Sequence, residues 1–331
     1  KVYKGSVFFK IWFKMVKLVV MIPAYNEEST ISGVIKKIPK EFKGIDEIKI
    51  LVADDGSTDK TIEVSKKSGA DYIAGSHRNQ GLGRNFKKGL EACLKLKADI
   101  IVNIDADGQF NPLDIPKLIK PILNNKADMV TASRFANGTY AKSVPLVKRI
   151  GNWGFSKLVS HISGEKFSDT QCGFRAYSRE AALRLNLYSK FTYTQEVFID
   201  LVSKGMKIKA VPMQVKYFSK RKSHISGKLI SYGFKSLGII ANASRDTRPM
   251  DFFGRPGFTL FGLGFLGGLA SFIYWITHLM TTPIKTLFNV SVFFMTLGLS
   301  LIIFGLLADI MRRIKLTQEE ILYKLKKKEY S

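Results

Sequence analysis

From Asn103 to Gln109 the chain reads Asn-Ile-Asp-Ala-Asp-Gly-Gln, directly after an apolar run, Ile100–Ile104, of the kind that forms a buried strand. If the chain stays extended past that run, the side chains of Asp105, Asp107 and Gln109 share one face, because successive residues alternate sides. Two carboxylates and an amide oxygen aimed at one point suit a hard divalent cation, Mg2+ or Mn2+, with coordination positions left for a diphosphate. An ordinary surface pair is the plain alternative, but two ionised carboxylates side by side repel each other unless a cation lies between them. Two more acidic clusters close earlier apolar runs: Pro23-Ala24-Tyr25-Asn26-Glu27-Glu28 and Asp54-Asp55-Gly56-Ser57-Thr58-Asp59. Acids at strand ends suit ribose hydroxyls and the donor edge of a base, although Asp-Gly-Ser alone is no more than a turn and helix start.

The elements that must position these residues alternate in type. Strand-like runs at Leu18–Ile22, Ile48–Ala53, Asp71–Ala74, Ile100–Ile104 and Met129–Ala132 are separated by helical stretches at Ser29–Ile38, Thr58–Ser68, Leu82–Lys97 and Leu113–Asn124. That alternation predicts an α/β fold, a mainly parallel sheet covered by helices, with ligands bound outside the carboxyl ends of the strands. A dinucleotide-binding oxidoreductase is the competing class. Its nearest fingerprint, Gly81-Leu82-Gly83-Arg84-Asn85-Phe86, has Phe86 in place of the third glycine and no apolar strand leading straight into it.

Beyond the α/β part, residues 256–280 and 287–308 contain no Asp, Glu, Lys or Arg. Each is long enough to cross a hydrocarbon core of about 30 Å, and they predict a transmembrane hairpin over 256–311. Gly262, Gly264, Gly267, Gly268 and Ala270 in the first span are the small residues that let helices approach closely within the hairpin or across a homo-oligomer. Arg245, Arg248 and Arg255 precede the first span and Arg312, Arg313 and Lys315 follow the second, while the connection has only Lys285. The positive-inside rule then places both termini and the α/β domain on the cytoplasmic side. Val144–Ile162 and the 220–255 segment, with Ser226–Ala243 at its heart, are basic and amphipathic and predict helices lying in the membrane interface. Thr317-Gln318-Glu319-Glu320 resembles a capping box and predicts that 312–331 is a separate short surface helix. Residues 1–16 mix lysines with aromatics and read as an extension ahead of a domain spanning 17–219, with Met15 standing where a natural start would fall.

The formal net charge is +25. Its bunching beside the apolar spans points to anionic lipid, and no zinc-finger spacing or aromatic RNA-binding signature supports nucleic acid. Cys93 and Cys172 can make at most one disulfide and no metal cluster, which fits ordinary thiols in a reducing compartment.

The segments PAYNEE, VADDGSTDKT, NIDADGQF, TASRF and DTQCGFRAY, in this order over about Lys17 to Ser219, resemble the family-2 glycosyltransferases of the GT-A fold, and among them the dolichol-phosphate mannose synthases. The resemblance implies mannose transfer from GDP-mannose to dolichyl (polyprenyl) phosphate by a metal-dependent, inverting, single displacement. It implies that Pro23, Tyr25, Glu27, Val52 and Asp54 hold the donor nucleoside and that Asp105 and Ala106 sit against its ribose and diphosphate. Asp105, Asp107 and Gln109 would hold the metal, with Asp107 indispensable. Arg134 would face the reacting phosphates, and Arg149, Arg221 and Lys228 the lipid phosphate, although the stretch Ser219–Lys228 departs from the family's Gly-x-Ser-Lys spelling. The absence of a Gln-x-x-Arg-Trp motif argues against the processive cellulose and chitin synthases. Two other readings stay open: a transferase using UDP-glucose, and a non-enzymatic membrane scaffold that senses a nucleotide.

Overall fold

In a computed structural model, residues 15–136, 144, 146–188, 193–215, 229–280 and 282–331 are described. β1 (Lys17–Ala24) is buried along nearly its whole length because both of its faces are covered. Leu18, Val20, Ile22 and Ala24 enter one apolar cluster, while Val19 and Met21 enter the other, the period-two division that a central strand imposes. α1 (Ile31–Ile35), β2 (Glu47–Asp54), α2 (Thr61–Lys67), β3 (Tyr72–Gly75), α3 (Leu82–Lys95), β4 (Ile100–Asn103), α4 (Ile115–Leu123) and β5 (Met129–Ser133) follow in the expected order. α1 and α4 cover the first cluster and α3 the second.

The sequence did not signal the next strand. After α5 (Leu146–Ser163), β6 (Arg175–Ser178) inserts between β4 and β5 and runs antiparallel to both, pairing Asn103 with Arg175 and Met129 with Tyr177. α6 (Arg179–Arg184), α7 (Glu196–Ser203) and β7 (Ile208–Pro212) complete a seven-stranded sheet of order β3-β2-β1-β4-β6-β5-β7. All its other pairings are parallel. Because β6 runs backwards, its Arg175 end lies with the carboxyl ends of the parallel strands and its Ser178 end, where α6 begins, lies at the opposite edge.

α8 (Leu229–Thr247) leads through a π-helical turn at Met250–Gly254 into α9 (Arg255–His278), and α10 (Lys285–Glu329) returns. Two helices, Met250–His278 and Lys285–Glu329, are long and apolar enough to cross a membrane. They pack through small residues at seven-residue spacing, with Gly257, Gly264 and Ser271 buried on one and Ser291, Gly298 and Gly305 on the other. A Cβ at Gly264 would lie 2.6 Å from the Ser291 carbonyl oxygen, so these backbones meet only where side chains are absent. Of the glycines expected to do this, Gly267 also points at Ser291, whereas Gly262 faces open space.

The tail is not a separate surface helix. α10 runs unbroken for 45 residues, so Thr317 sits inside it and its hydroxyl donates to the Arg313 carbonyl instead of capping a new start. The C-terminal part of this helix packs on the α/β domain, with Tyr323 and Tyr330 in its second apolar cluster. Residues 1–14 and the expected site residues Arg221 and Lys228 lie outside the described residues.

Candidate active site

The loops that leave β1 and β2 are bound to each other. Asn26 takes a left-handed conformation, φ 55°, and its side-chain oxygen accepts from the Thr58 N–H at 2.9 Å. The Glu27 N–H donates to the Thr61 hydroxyl at 2.8 Å, and the Glu27 carboxylate accepts from the Thr30 hydroxyl at 2.7 Å. Asp54 is buried and accepts from the Gly56 and Ser57 N–H groups, each at 3.0 Å. Buried Asp55, read from the sequence as part of an acidic cluster for a ribose or base, instead ties this loop to the start of α3 by accepting from the Gln80 and Gly81 N–H groups at 2.8 and 2.9 Å. Val52 is fully buried in the core and Pro23 is buried within β1, so any contact they make with a nucleoside comes from the main chain. Tyr25 is half-buried at the exit of β1.

The end of β4 is built differently. The chain does not stay extended after Asn103: it turns at Ala106–Gly108, with Gly108 at φ 72° and the Gln109 N–H donating to the Asp107 carboxylate at 3.0 Å. A turn thus replaces the alternation by which Asp105, Asp107 and Gln109 were expected to share a face. Ala106 is buried beneath it. Among the described residues no hydrogen-bond donor reaches the Asp105 carboxylate, and none forms a group of three or more His, Cys, Asp or Glu side chains that could hold a metal. Burial, the neighbouring Asp107 carboxylate and, more weakly, Glu27 push Asp105 up to about 7, against the pull of Arg175 and Arg134.

A divalent cation fits this donor set as far as it goes. Two crowded carboxylates, one of them with no donor among the described residues, are what such an ion relieves, and phosphate oxygens and water would supply its remaining ligands. Gln109 contributes a main-chain hydrogen bond to the turn.

Three residues missed by the sequence reading complete the surroundings, and all lie in the Asp169–Tyr177 segment. Gly173 is packed against Asp105, where a Cβ would lie 2.6 Å from a carboxylate oxygen. Asn103 fixes that glycine by donating to its carbonyl at 2.7 Å. Arg175 is fully buried and donates to the Cys172, Thr170 and Thr194 carbonyls, with its guanidinium 4.8 Å from the Phe198 ring centre. Asp169, also buried, grips Arg134 in a two-pronged ion pair, Nε to Oδ2 at 2.7 Å and Nη2 to Oδ1 at 2.9 Å. Arg134 is thereby oriented by Asp169 at the end of β5. Arg149 is half-buried on α5. The only signal for these partners was the DTQCGFRAY spelling; spacing alone does not reveal that β6 folds back beside β4. Cys93 and Cys172 are free, and burial pushes the Cys172 thiol up to about 12, as expected of inert core thiols.

Comparison with known proteins agrees with this architecture. Residues 19–185 match glycosyl transferase family 2. An uncharacterized protein of Methanocaldococcus jannaschii is 38% identical over 225 residues, 67% of this chain and 89% of that one. A UDP-N-acetylglucosamine–dolichyl-phosphate N-acetylglucosaminyltransferase of Methanococcus voltae is 33% identical over 234 residues, covering 65% and 91%. A dolichyl-phosphate hexose transferase of Haloferax volcanii is 31% identical over 196 residues, covering 59% and 81%. Among solved structures, glucosyl-3-phosphoglycerate synthase from Mycobacterium tuberculosis in complex with Mn2+, UDP and glucosyl-3-phosphoglycerate superposes with a TM-score of 0.54 at 24% identity, over 69% of this chain and 80% of that one. The chain belongs to glycosyl transferase family 2. Its α/β domain has the GT-A fold, and two candidate membrane helices follow it.

Proposed function

We propose that the protein transfers a sugar from a nucleoside diphosphate sugar to dolichyl or another polyprenyl phosphate. The observation that carries this reading is the Asp105 carboxylate, to which no described residue donates, crowded by Asp107 at the carboxyl ends of the strands. The named relatives that act on dolichyl phosphate support the acceptor. In this reading Asp105 and Asp107 would hold Mg2+ or Mn2+, which would supply positive charge where the leaving group becomes more negative. Arg134, aimed by Asp169, adds a second positive charge on the same side. The laced loops after β1 and β2 seat the nucleoside. The acceptor phosphate is already largely dianionic at neutral pH and attacks the anomeric carbon in line without a protein base, inverting its configuration.

The donor assigned by the motif resemblance is GDP-mannose. A UDP sugar is the second reading, favoured by the N-acetylglucosaminyltransferase of Methanococcus voltae and by a dolichyl-phosphate beta-glucosyltransferase of Trichomonas vaginalis, 26% identical over 230 residues. The Lys and Arg asymmetry around the candidate spans supports a cytoplasmic catalytic domain. Radiolabelled GDP-mannose, UDP-glucose and UDP-N-acetylglucosamine, each offered with dolichyl phosphate and Mn2+ in detergent, test both donor and acceptor. Lipid-linked label from one donor is the expected result. No lipid-linked label from any donor overturns the reading.

A further inference from the structure

β4 and β6 pair antiparallel, from Ile100 with Ser178 to Asn103 with Arg175. Two residues beyond that last pair, the same register sets Asp105 opposite Gly173. Residues directly opposed in an antiparallel pair ordinarily keep their Cβ atoms about 5 Å apart. Here the approach is closer: a Cβ at Gly173 would lie 2.6 and 2.9 Å from the two Asp105 carboxylate oxygens and 3.1 Å from the Cγ that carries them. The φ of Gly173 lies outside the left-handed region, so the backbone does not call for glycine. The space a side chain would fill is taken by the carboxylate.

The main chain behind that contact is pinned. The Cys172 carbonyl accepts from Arg175 Nε at 2.8 Å, the Gly173 carbonyl from the Asn103 side chain at 2.7 Å and the Phe174 carbonyl from the Ala132 N–H at 2.9 Å. Three consecutive carbonyls are thus held by β6, β4 and β5 in turn. The side chains of Cys172 and Phe174 are buried on either side, Phe174 with its ring centre 5.2 Å from that of Phe110. Asn103 is itself fully buried and also donates to the Tyr193 hydroxyl at 3.0 Å, and the Tyr193 ring stacks on Phe86 at 3.7 Å. Asp105 is only half-buried, and no described residue donates to it. Of the two partners in the contact, the carboxylate is the one with room to move.

Resting on the function proposed above, we propose that Gly173 is a positioning residue: the bare main chain at Cys172–Phe174 is a wall that seats the Asp105 carboxylate, by shape, for a divalent cation. Asn103, which fixes the wall, is the second positioning residue. Carboxylates that bind metals are commonly oriented by hydrogen bonds, and each such bond occupies a lone pair that the ion could use. A steric seat holds the group in place and leaves both oxygens to the cation. It also gives the reversed strand a role beyond completing the sheet, since β6 brings the wall to the acid.

The full chain in detergent tests this in four forms: native, Gly173→Ala, Asp105→Ala and the double variant. Mn2+ uptake is followed by the electron paramagnetic resonance signal of the free ion at about pH 8, with no sugar or lipid acceptor present. The unfolding temperature is read separately in EDTA. Gly173→Ala should lower Mn2+ affinity about tenfold or more. Its added methyl drives Asp105 off its rotamer, so it should also lower the unfolding temperature by roughly 1–3 °C, and that loss should vanish once Asp105 is cut back to alanine.

Native Mn2+ affinity in Gly173→Ala overturns the proposal. A loss of unfolding temperature that persists undiminished after Asp105→Ala, or a fold lost in both backgrounds, overturns it as well, because the glycine then serves the chain around it and not the acid. A Gly173→Ala chain that fails to fold alone yet folds beside Asp105→Ala supports the seat through stability in place of affinity. If the native chain takes up no Mn2+, the metal-dependent function proposed above fails, and the unfolding comparison by itself decides the seat.

Discussion

The ends of β2 and β4 both carry adjacent acids at the same edge of one sheet, and they are used in opposite ways. Asp54 and Asp55 are buried, yet each collects two backbone N–H groups, so their charge is met within the protein and stabilises the loops. Asp105 collects none from the described residues, is crowded by Asp107 and is pushed up to about 7. An acid satisfied by the fold is architecture. An acid left unsatisfied by the fold is a place where something else must bring positive charge, and the cost of that vacancy is accepted where binding or catalysis repays it.

The largest expected effect tests the β4 side. Asp107→Ala should lower sugar transfer by about a thousandfold, with thermal unfolding close to wild type, because it removes a candidate metal ligand at a half-buried turn without opening a core cavity. Retained activity in enzyme stripped with EDTA would remove the metal from the picture.

Next comes the pH dependence of Mn2+ binding, followed by calorimetry. The folded value of Asp105 lies above its ordinary one, so below about pH 7 the cation must displace a proton; affinity should rise about tenfold per pH unit up to that point and level off above it. By the same sign, the metal-free fold loses stability as pH rises from the ordinary carboxylate range through about 7, and Asp105→Asn should relieve that loss while abolishing transfer. A lower melting temperature for Asp105→Asn at pH 8 would contradict the contrast directly.

On the β2 side the signs reverse. Asp54→Ala should cost about 2 kcal/mol by leaving two N–H groups without their acceptor, a loss read by denaturant unfolding with EDTA present. The smallest effect is at Asp59. Burial raises its carboxyl, but hydrogen bonds from the Thr61 hydroxyl and N–H and from the Glu28 N–H hold it below its ordinary value. It therefore contributes stability above the ordinary carboxylate range that is lost as pH falls through its lowered value. Asp59→Ala should destabilise the fold less than Asp54→Ala at neutral pH, and less again at a pH below its lowered value, read by denaturant unfolding at both.

The parallel part of the fold was legible because its strands are apolar runs bounded by turn residues: each strand expected from Leu18 to Ala132 is present within a residue or two at its ends. β6 was not, because a four-residue strand that begins with Arg175 carries no apolar period, and its burial depends on carbonyls brought by Cys172 and Thr194. The acids of the site could be picked out by type and position. Their environment could not, since the glycine against Asp105 and the aspartate on Arg134 lie 68 and 35 residues away along the chain. The tail was misread for a related reason: Thr317 and Glu320 have capping types, but whether a helix starts there depends on what its neighbours in space hold straight.

That unbroken helix would couple the α/β domain to any bilayer it crosses. At 1.5 Å per residue the 45 residues of α10 span about 68 Å, a length set by hydrogen-bond geometry and independent of the bilayer. A hydrocarbon core thinner than the apolar stretch is met by tilt, and a stiff helix carries that tilt beyond the headgroups to whatever is docked on it. With α10 across a bilayer, as proposed, the thickness of that bilayer would become a variable of the α/β domain. The same chain reconstituted in short-tailed and long-tailed phosphatidylcholine would present its site to the acceptor at two different angles, with no change in a single residue.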